Sequence, residues 1–170
     1  MKDTISPKRN LHTISLLVAN KPGVLVRIAL TFARRGYNID SLVVSPSVNE
    51  RFSRMTITAQ GDIDILDQII KQANKLVDVV QVSEHTGEDA LHRELMLVKI
   101  KCTAATKTAI KKIMKRYRSL TIEETQKTVT LEISGTTPEL DQAEQTIKKY
   151  GIIEIVRSGK LVIAKGKETT

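Results

Sequence analysis

Residues 12–40 read HTISLLVANKPGVLVRIALTFARRGYNID. Thr13 to Ala19 is an apolar run without a charge, which predicts a strand. Val24, Leu25, Ile28, Ala29, Phe32 and Ala33 then recur at helical spacing. Pro22 suits the first helical turn, where its missing N–H needs no partner. Gly36 suits the helix end, where a left-handed residue is often required. Between strand and helix lie Asn20 and Gly23. A helix N-terminus presents unbonded N–H groups and the positive end of the helix dipole. It holds a carboxylate or phosphate without a basic side chain, and Gly23 lets a ligand come close to the backbone. The same residues also serve a plain strand-to-helix turn, and the turn alone does not choose between the two.

Outward from this stretch the pattern continues. Ile39–Ser45 reads as a second strand, and Pro46 with the polar run 47–50 as a turn. Phe52–Ala59 alternates in period two, as a half-buried strand does. Gly61-Asp62 opens a helix whose apolar face is Ile63, Leu66, Ile69, Ile70, Ala73 and Leu76, with Asp62 available as a cap. Val77–Ser83 closes the unit. The order strand, helix, strand, strand, helix, strand is that of a ferredoxin-like fold, two helices on one face of an antiparallel sheet. The order then repeats over Leu95–Cys102, Thr103–Arg118, Leu120–Glu124, Thr128–Ser134, Pro138–Tyr150 and Ile152–Val156, followed by a short strand Leu161–Ala164. The fold class is therefore α+β, with two βαββαβ domains. The expected divisions are an N-terminal tail (1–11), a first domain (12–85), a linker (86–93), a second domain (94–164) and a frayed tail (165–170). Each sheet is expected to keep one face open. Open faces and edges are association surfaces, so a dimer through the first domain is expected.

Composition removes several classes of function. No apolar run approaches the roughly 18 residues that span a membrane, and the polar start of the chain lacks the core of a secretory signal. The single cysteine, Cys102, cannot form an internal disulfide, which fits a reducing cytoplasm. The net charge of +8 invites a nucleic-acid reading. The densest basic cluster, Lys107 to Arg118, is interleaved with Ala109, Ile110, Ile113 and Met114, as on the solvated side of an amphipathic helix. Aromatic residues make up only 3% of the chain, too few for base-stacking strands, so no nucleic-acid partner is expected. His12, His85 and His92 lack the close companions of a metal site. Cys102 reads as a small buried hydrophobe. Asp62, Asp64 and Asp67 read as acids at a helix start. No serine elbow, Walker loop or G-x-G-x-x-G fingerprint is present.

Three runs in combination carry a resemblance: Asn20-Lys21-Pro22-Gly23-Val24-Leu25, Arg35-Gly36-Tyr37-Asn38-Ile39-Asp40-Ser41-Leu42 and Ser53-Arg54-Met55-Thr56. They resemble an ACT domain and, more narrowly, the regulatory (small) subunit of acetolactate synthase. Leu76-Val77-Asp78-Val79 and Arg93 to Lys99 match the same pattern. The second half resembles the family's C-terminal domain in length and order, with a weaker motif match at Arg157-Ser158-Gly159 and Lys165-Gly166.

The resemblance implies a non-catalytic partner of a large subunit that carries thiamine diphosphate, magnesium and flavin (FAD). That subunit condenses pyruvate with pyruvate or 2-oxobutyrate on the way to the branched-chain amino acids. The small subunit would raise its activity and confer feedback inhibition by L-valine, held between two ACT domains of a homodimer. The implied effector residues are Asn20, Gly23, Val24 and Leu25 from one chain and Asn38 and Ile39 from its partner. Asn20 equally suits a helix cap, and Ile39 equally suits the core. A stand-alone amino-acid sensor and a basic nucleic-acid-binding module are the alternative readings.

Overall fold

In the computed structural model, which describes residues 11–87, 90–167 and 170, strand β1 (Leu11–Ala19) is a central strand. It is followed by α1 (Val24–Ala33), β2 (Asn38–Pro46), β3 (Phe52–Gln60), α2 (Ile63–Ala73) and β4 (Val79–Glu84). The first sheet has the order β2-β3-β1-β4 and is antiparallel throughout. β1 is paired on both sides, which explains its uncharged sequence. Ile14, Leu16 and Val18 of β1 pack with Val24, Ile28 and Phe32 of α1 and with Leu66, Ile69 and Ala73 of α2. The α2 stripe differs from expectation at its start, where Ile63 is exposed and Ile65 packs on the core instead. β4 begins two residues later than expected, because Leu76 and Val79 close a turn that leaves Val77 in solvent.

The second half repeats the order: β5 (Ala90–Lys101), α3 (Ala104–Tyr117), β6 (Leu120–Glu124), β7 (Thr128–Gly135), α4 (Thr137–Lys148) and β8 (Ile152–Arg157). Its sheet runs β6-β7-β5-β8, and a last strand, β9 (Leu161–Ala164), pairs with β5. Met96, Val98 and Ile100 of β5 pack with Leu131 and Ile133 of β7, Ile110 and Ile113 of α3, and Leu140, Ala143 and Ile147 of α4. Both halves are thus βαββαβ units, as the element order predicts. No described helix is long and apolar enough to cross a membrane.

Two compact units result, and their limits differ from the expected domains. The first comprises the described residues up to Leu91 together with the segment from Lys160 onward; the second is His92–Gly159. The expected linker, 86–93, is shortened because β5 already begins at Ala90. The expected N-terminal tail lies outside the described residues except for Leu11.

The first sheet does not keep its second face open. On the side away from the helices, Thr13 and Ser15 of β1 stand opposite Thr58 and Thr56 of β3. All four are buried, with Thr13 and Ser15 only 1% exposed. Segment 160–170 explains part of this. Lys160 Nζ donates to Thr13 Oγ1 at 3.2 Å, the Arg54 guanidinium donates to the Thr170 carbonyl, and Val162 is buried. Ala164 N–H donates to Thr170 Oγ1 at 2.7 Å. The expected frayed tail is therefore anchored at Thr170, because its polar groups find partners in the first unit.

Candidate functional site

The site is built on the connection from β1 to α1. Ala19 N–H donates to Asp78 O at 2.7 Å and Asn20 N–H to Arg51 O at 2.8 Å, so the end of β1 is tied to both neighbouring strands' loops. The Asn20 side chain donates from Nδ2 to Glu50 O at 3.0 Å. It therefore holds the β2–β3 turn and does not cap α1. The N-cap is Gly23, in the left-handed region at φ 84°, and no side chain caps the helix. A side chain here would carry the steric cost of a left-handed residue. Arg27 N–H donates to Gly23 O at 3.1 Å as the first helical bond. The amides of Leu25 and Val26 ahead of it have no acceptor within the helix. Residues 20–23 are all exposed, and the first turn of α1 contains no acid to offset the dipole.

The expected residues separate by role. Val24 is only 2% exposed and packs in the core, so it offers its backbone alone to any ligand at the turn. Leu25 is 42% exposed and is the apolar side chain presented there. Asn38 is exposed, and its Nδ2 donates to Asp40 Oδ1 at 3.0 Å. Ile39 packs partly against the core, just before a bulge at Asp40. Asn38 and Ile39 lie beyond the far end of α1. A helix of ten residues is about 15 Å long. Within one chain the structure therefore brings Asn20, Gly23, Val24 and Leu25 together and leaves Asn38 and Ile39 at the opposite end.

One neighbour of the turn was not legible in the sequence. Arg27 Nη2 meets Asp78 Oδ2 at 2.5 Å, and a Cβ on Gly23 would lie 3.7 Å from Arg27 Nη1. The helical offset of four from Gly23 puts Arg27 above the turn. Nothing in the spacing points to Asp78, which only the pairing of β4 with β1 brings there. Among the described residues no group of three or more His, Cys, Asp or Glu is placed to hold a metal ion. His12 is buried between Glu84 Oε1, 3.2 Å from Nδ1, and Gly61 O, 3.1 Å from Nε2.

The family model described as AHAS small subunit-like ACT domain matches residues 14–81, and that described as small subunit of acetolactate synthase matches 93–166. A protein named acetolactate synthase small subunit from Mycolicibacterium smegmatis is 37% identical over 155 residues, which covers 91% of each chain. The chain belongs to the acetolactate synthase small-subunit family. A probable acetolactate synthase small subunit from Archaeoglobus fulgidus is 36% identical, over 92% of this chain and 98% of its own. The crystal structure of the acetolactate synthase small subunit from Thermotoga maritima superposes with a TM-score of 0.84 at 32% identity. It covers 93% of this chain and 99% of its own. The first family match contains the whole β1–α1 turn and Asn38–Ile39. The second runs through β9, which in this structure groups with the first unit.

Proposed function

We propose that this chain is the non-catalytic regulatory subunit of acetolactate synthase, acting in the cytoplasm on the path to valine and isoleucine. It activates a large subunit that carries thiamine diphosphate, magnesium and FAD, and it conveys feedback inhibition by L-valine. The observation that carries the effector reading is the uncapped start of α1. Gly23 is left-handed, no side chain satisfies the first-turn amides, and no acid stands in that turn. Those amides suit a carboxylate. The Leu25 side chain offers apolar contact, and the amide oxygens of Asn20 and Asn38 can accept from an ammonium group.

The distance from the turn to Asn38 and Ile39 supports a site shared by two chains. β2 is an edge strand with one unpaired side, the kind of surface through which two first units pair. Sedimentation at micromolar protein is expected to give a dimer; a monomer counts against the shared site. Valine between two copies regulates only if it binds two states of the assembly unequally.

Valine is small, and at roughly half the ligand-efficiency ceiling its binding is about −5 to −6 kcal/mol, or tens to hundreds of micromolar. Titration calorimetry with L-valine, and D-valine as control, tests this. Saturable, stereoselective heat is expected. Gly23→Asp adds a left-handed side chain and a negative charge beside the amides. It is expected to abolish valine inhibition of the holoenzyme while activation of the large subunit survives. Unchanged inhibition in that variant shows the site to be elsewhere. Failure of the chain to co-purify with or activate a large subunit turns the reading toward a stand-alone sensor.

A further inference from the structure

The second unit contains a cavity of about 500 Å³ between the end of α3, the end of β7 and the start of α4. Three guanidinium groups line it: Arg93 from β5, Arg116 from the last turn of α3, and Arg118 just after it. The one acid on its wall, Glu139, is already engaged. It accepts from Thr136 N–H at 2.7 Å and from the Thr136 hydroxyl at 2.9 Å, as part of the α4 capping box. Arg93 donates to the His92 carbonyl at 2.8 Å. Arg116 lies over the Tyr117 ring, 5.4 Å from its centre, and makes no ion pair among the described residues. The Arg118 side chain has neither a hydrogen bond nor an ion pair among them.

Arg118 is also the only non-glycine residue among those described with a positive φ, 49°. It occupies the position after a helix where glycine is free of steric cost. Arg118 is exposed, so its guanidinium is free to meet an anion that enters the hollow, while its backbone bears the conformational cost. The other arginines add positive charge that Glu139 only partly offsets. Guanidinium forks pair with the oxygens of phosphate in two parallel bonds. The hollow is open to solvent on one side, with all three arginines exposed at its wall, and a volume of this size suits a small ligand.

We propose that this cavity binds a small phosphate-bearing polyanion, held by Arg93, Arg116 and Arg118. The site is separate from the α1 turn and does not depend on the valine reading. The test uses the full chain and inorganic pyrophosphate, titrated calorimetrically at constant ionic strength, with Arg118→Gly, Arg116→Gln and the double variant Lys71→Gln/Lys75→Gln. The lysine pair removes the same kind of charge from exposed positions on α2 and just after it. Saturable binding is expected in the parent and in the lysine variant. A loss of at least tenfold is expected in each arginine variant. Arg118→Gly relieves the left-handed backbone, so its Tm is expected to rise while affinity falls, which a purely structural arginine does not produce. No saturable binding up to about 10 mM overturns the proposal. So does affinity unchanged in both arginine variants, or an equal loss in the lysine variant, which marks diffuse attraction to a basic chain.

Discussion

Gly61 is a glycine because of what crosses it. A Cβ at this position would collide with the phenol end of Tyr37, at Cζ, the hydroxyl oxygen and Cε1, and that hydroxyl donates to the Asp62 carbonyl. Tyr37 is buried, and burial followed by the nearby Asp62 charge raises its phenol above the ordinary value. The contact fastens the end of α1 to the start of α2. Gly61→Ala is expected to lower stability by about 2 kcal/mol through overpacking, read by urea denaturation; a loss below a few tenths would show that the ring moves aside. The six expected effector residues also divide at this scale. Glycine at position 23 was legible from its place between a strand and a helix. That Val24 turns into the core and Asn20 reaches the β2–β3 loop was not, because both depend on partners distant in the chain.

At the scale of elements, a charged cluster ties β5, β8 and α4 of the second unit together beside its apolar core. Glu94 of β5 is buried, and Arg157 of β8 reaches its Oε2 at 2.6 Å and Asp141 of α4 at 2.5 Å. The Thr137 hydroxyl also donates to Glu94. Burial opposes the charge on Arg157, but the bonds to Asp141 and Glu94 outweigh it and raise its pKa further above the guanidinium value. The two partners are not equivalent on removal. Arg157→Leu leaves a buried carboxylate without its cation and is expected to cost about 3 kcal/mol. Glu94→Leu leaves Arg157 still paired to Asp141 and partly solvated, and is expected to cost less. Chemical denaturation of both variants checks the order. The elements themselves were legible, since helical and alternating spacing report which residues share a face. Their ends were less so. β5 begins at Ala90, four residues ahead of Glu94, where its pairing with β7 starts, and no local pattern announces that start.

For the whole molecule, the main departure is the C-terminal segment. Leu161–Ala164 reads as a last strand of the second domain and 165–170 as a frayed tail, yet Val162 and Thr170 are buried in the first unit, and hydrogen bonds from Lys160 and Arg54 join the segment to the rest of that unit. Deletion of residues 160–170 is expected to destabilise the first unit by roughly 2 to 4 kcal/mol, from one buried aliphatic side chain and the charged hydrogen bonds. Thermal melting of the shortened chain tests this; an unchanged Tm would show the segment to be dispensable. A fragment ending near Thr86 loses the same cover along with the second unit. Weakened activation by that fragment is therefore expected on two grounds, and the 160–170 deletion separates them.

What the sequence determined by itself was the periodic part of the protein. Strand and helix follow from the spacing of apolar residues, and two equal units follow from the repetition of that order. The turn between strand and helix follows from Asn20 to Gly23, although Pro22 suits a first helical turn and the structure starts α1 at Val24 with Gly23 as its N-cap. Tertiary structure alone decided which side of each residue is used. It buried the hydroxyl face of the first sheet, put Asp78 beside Arg27, set Asn38 a helix length from Gly23, and gathered Arg93, Arg116 and Arg118 around one cavity. These are contacts between residues far apart in the chain, and hydrophobic period records only which face is buried, not what lies against it.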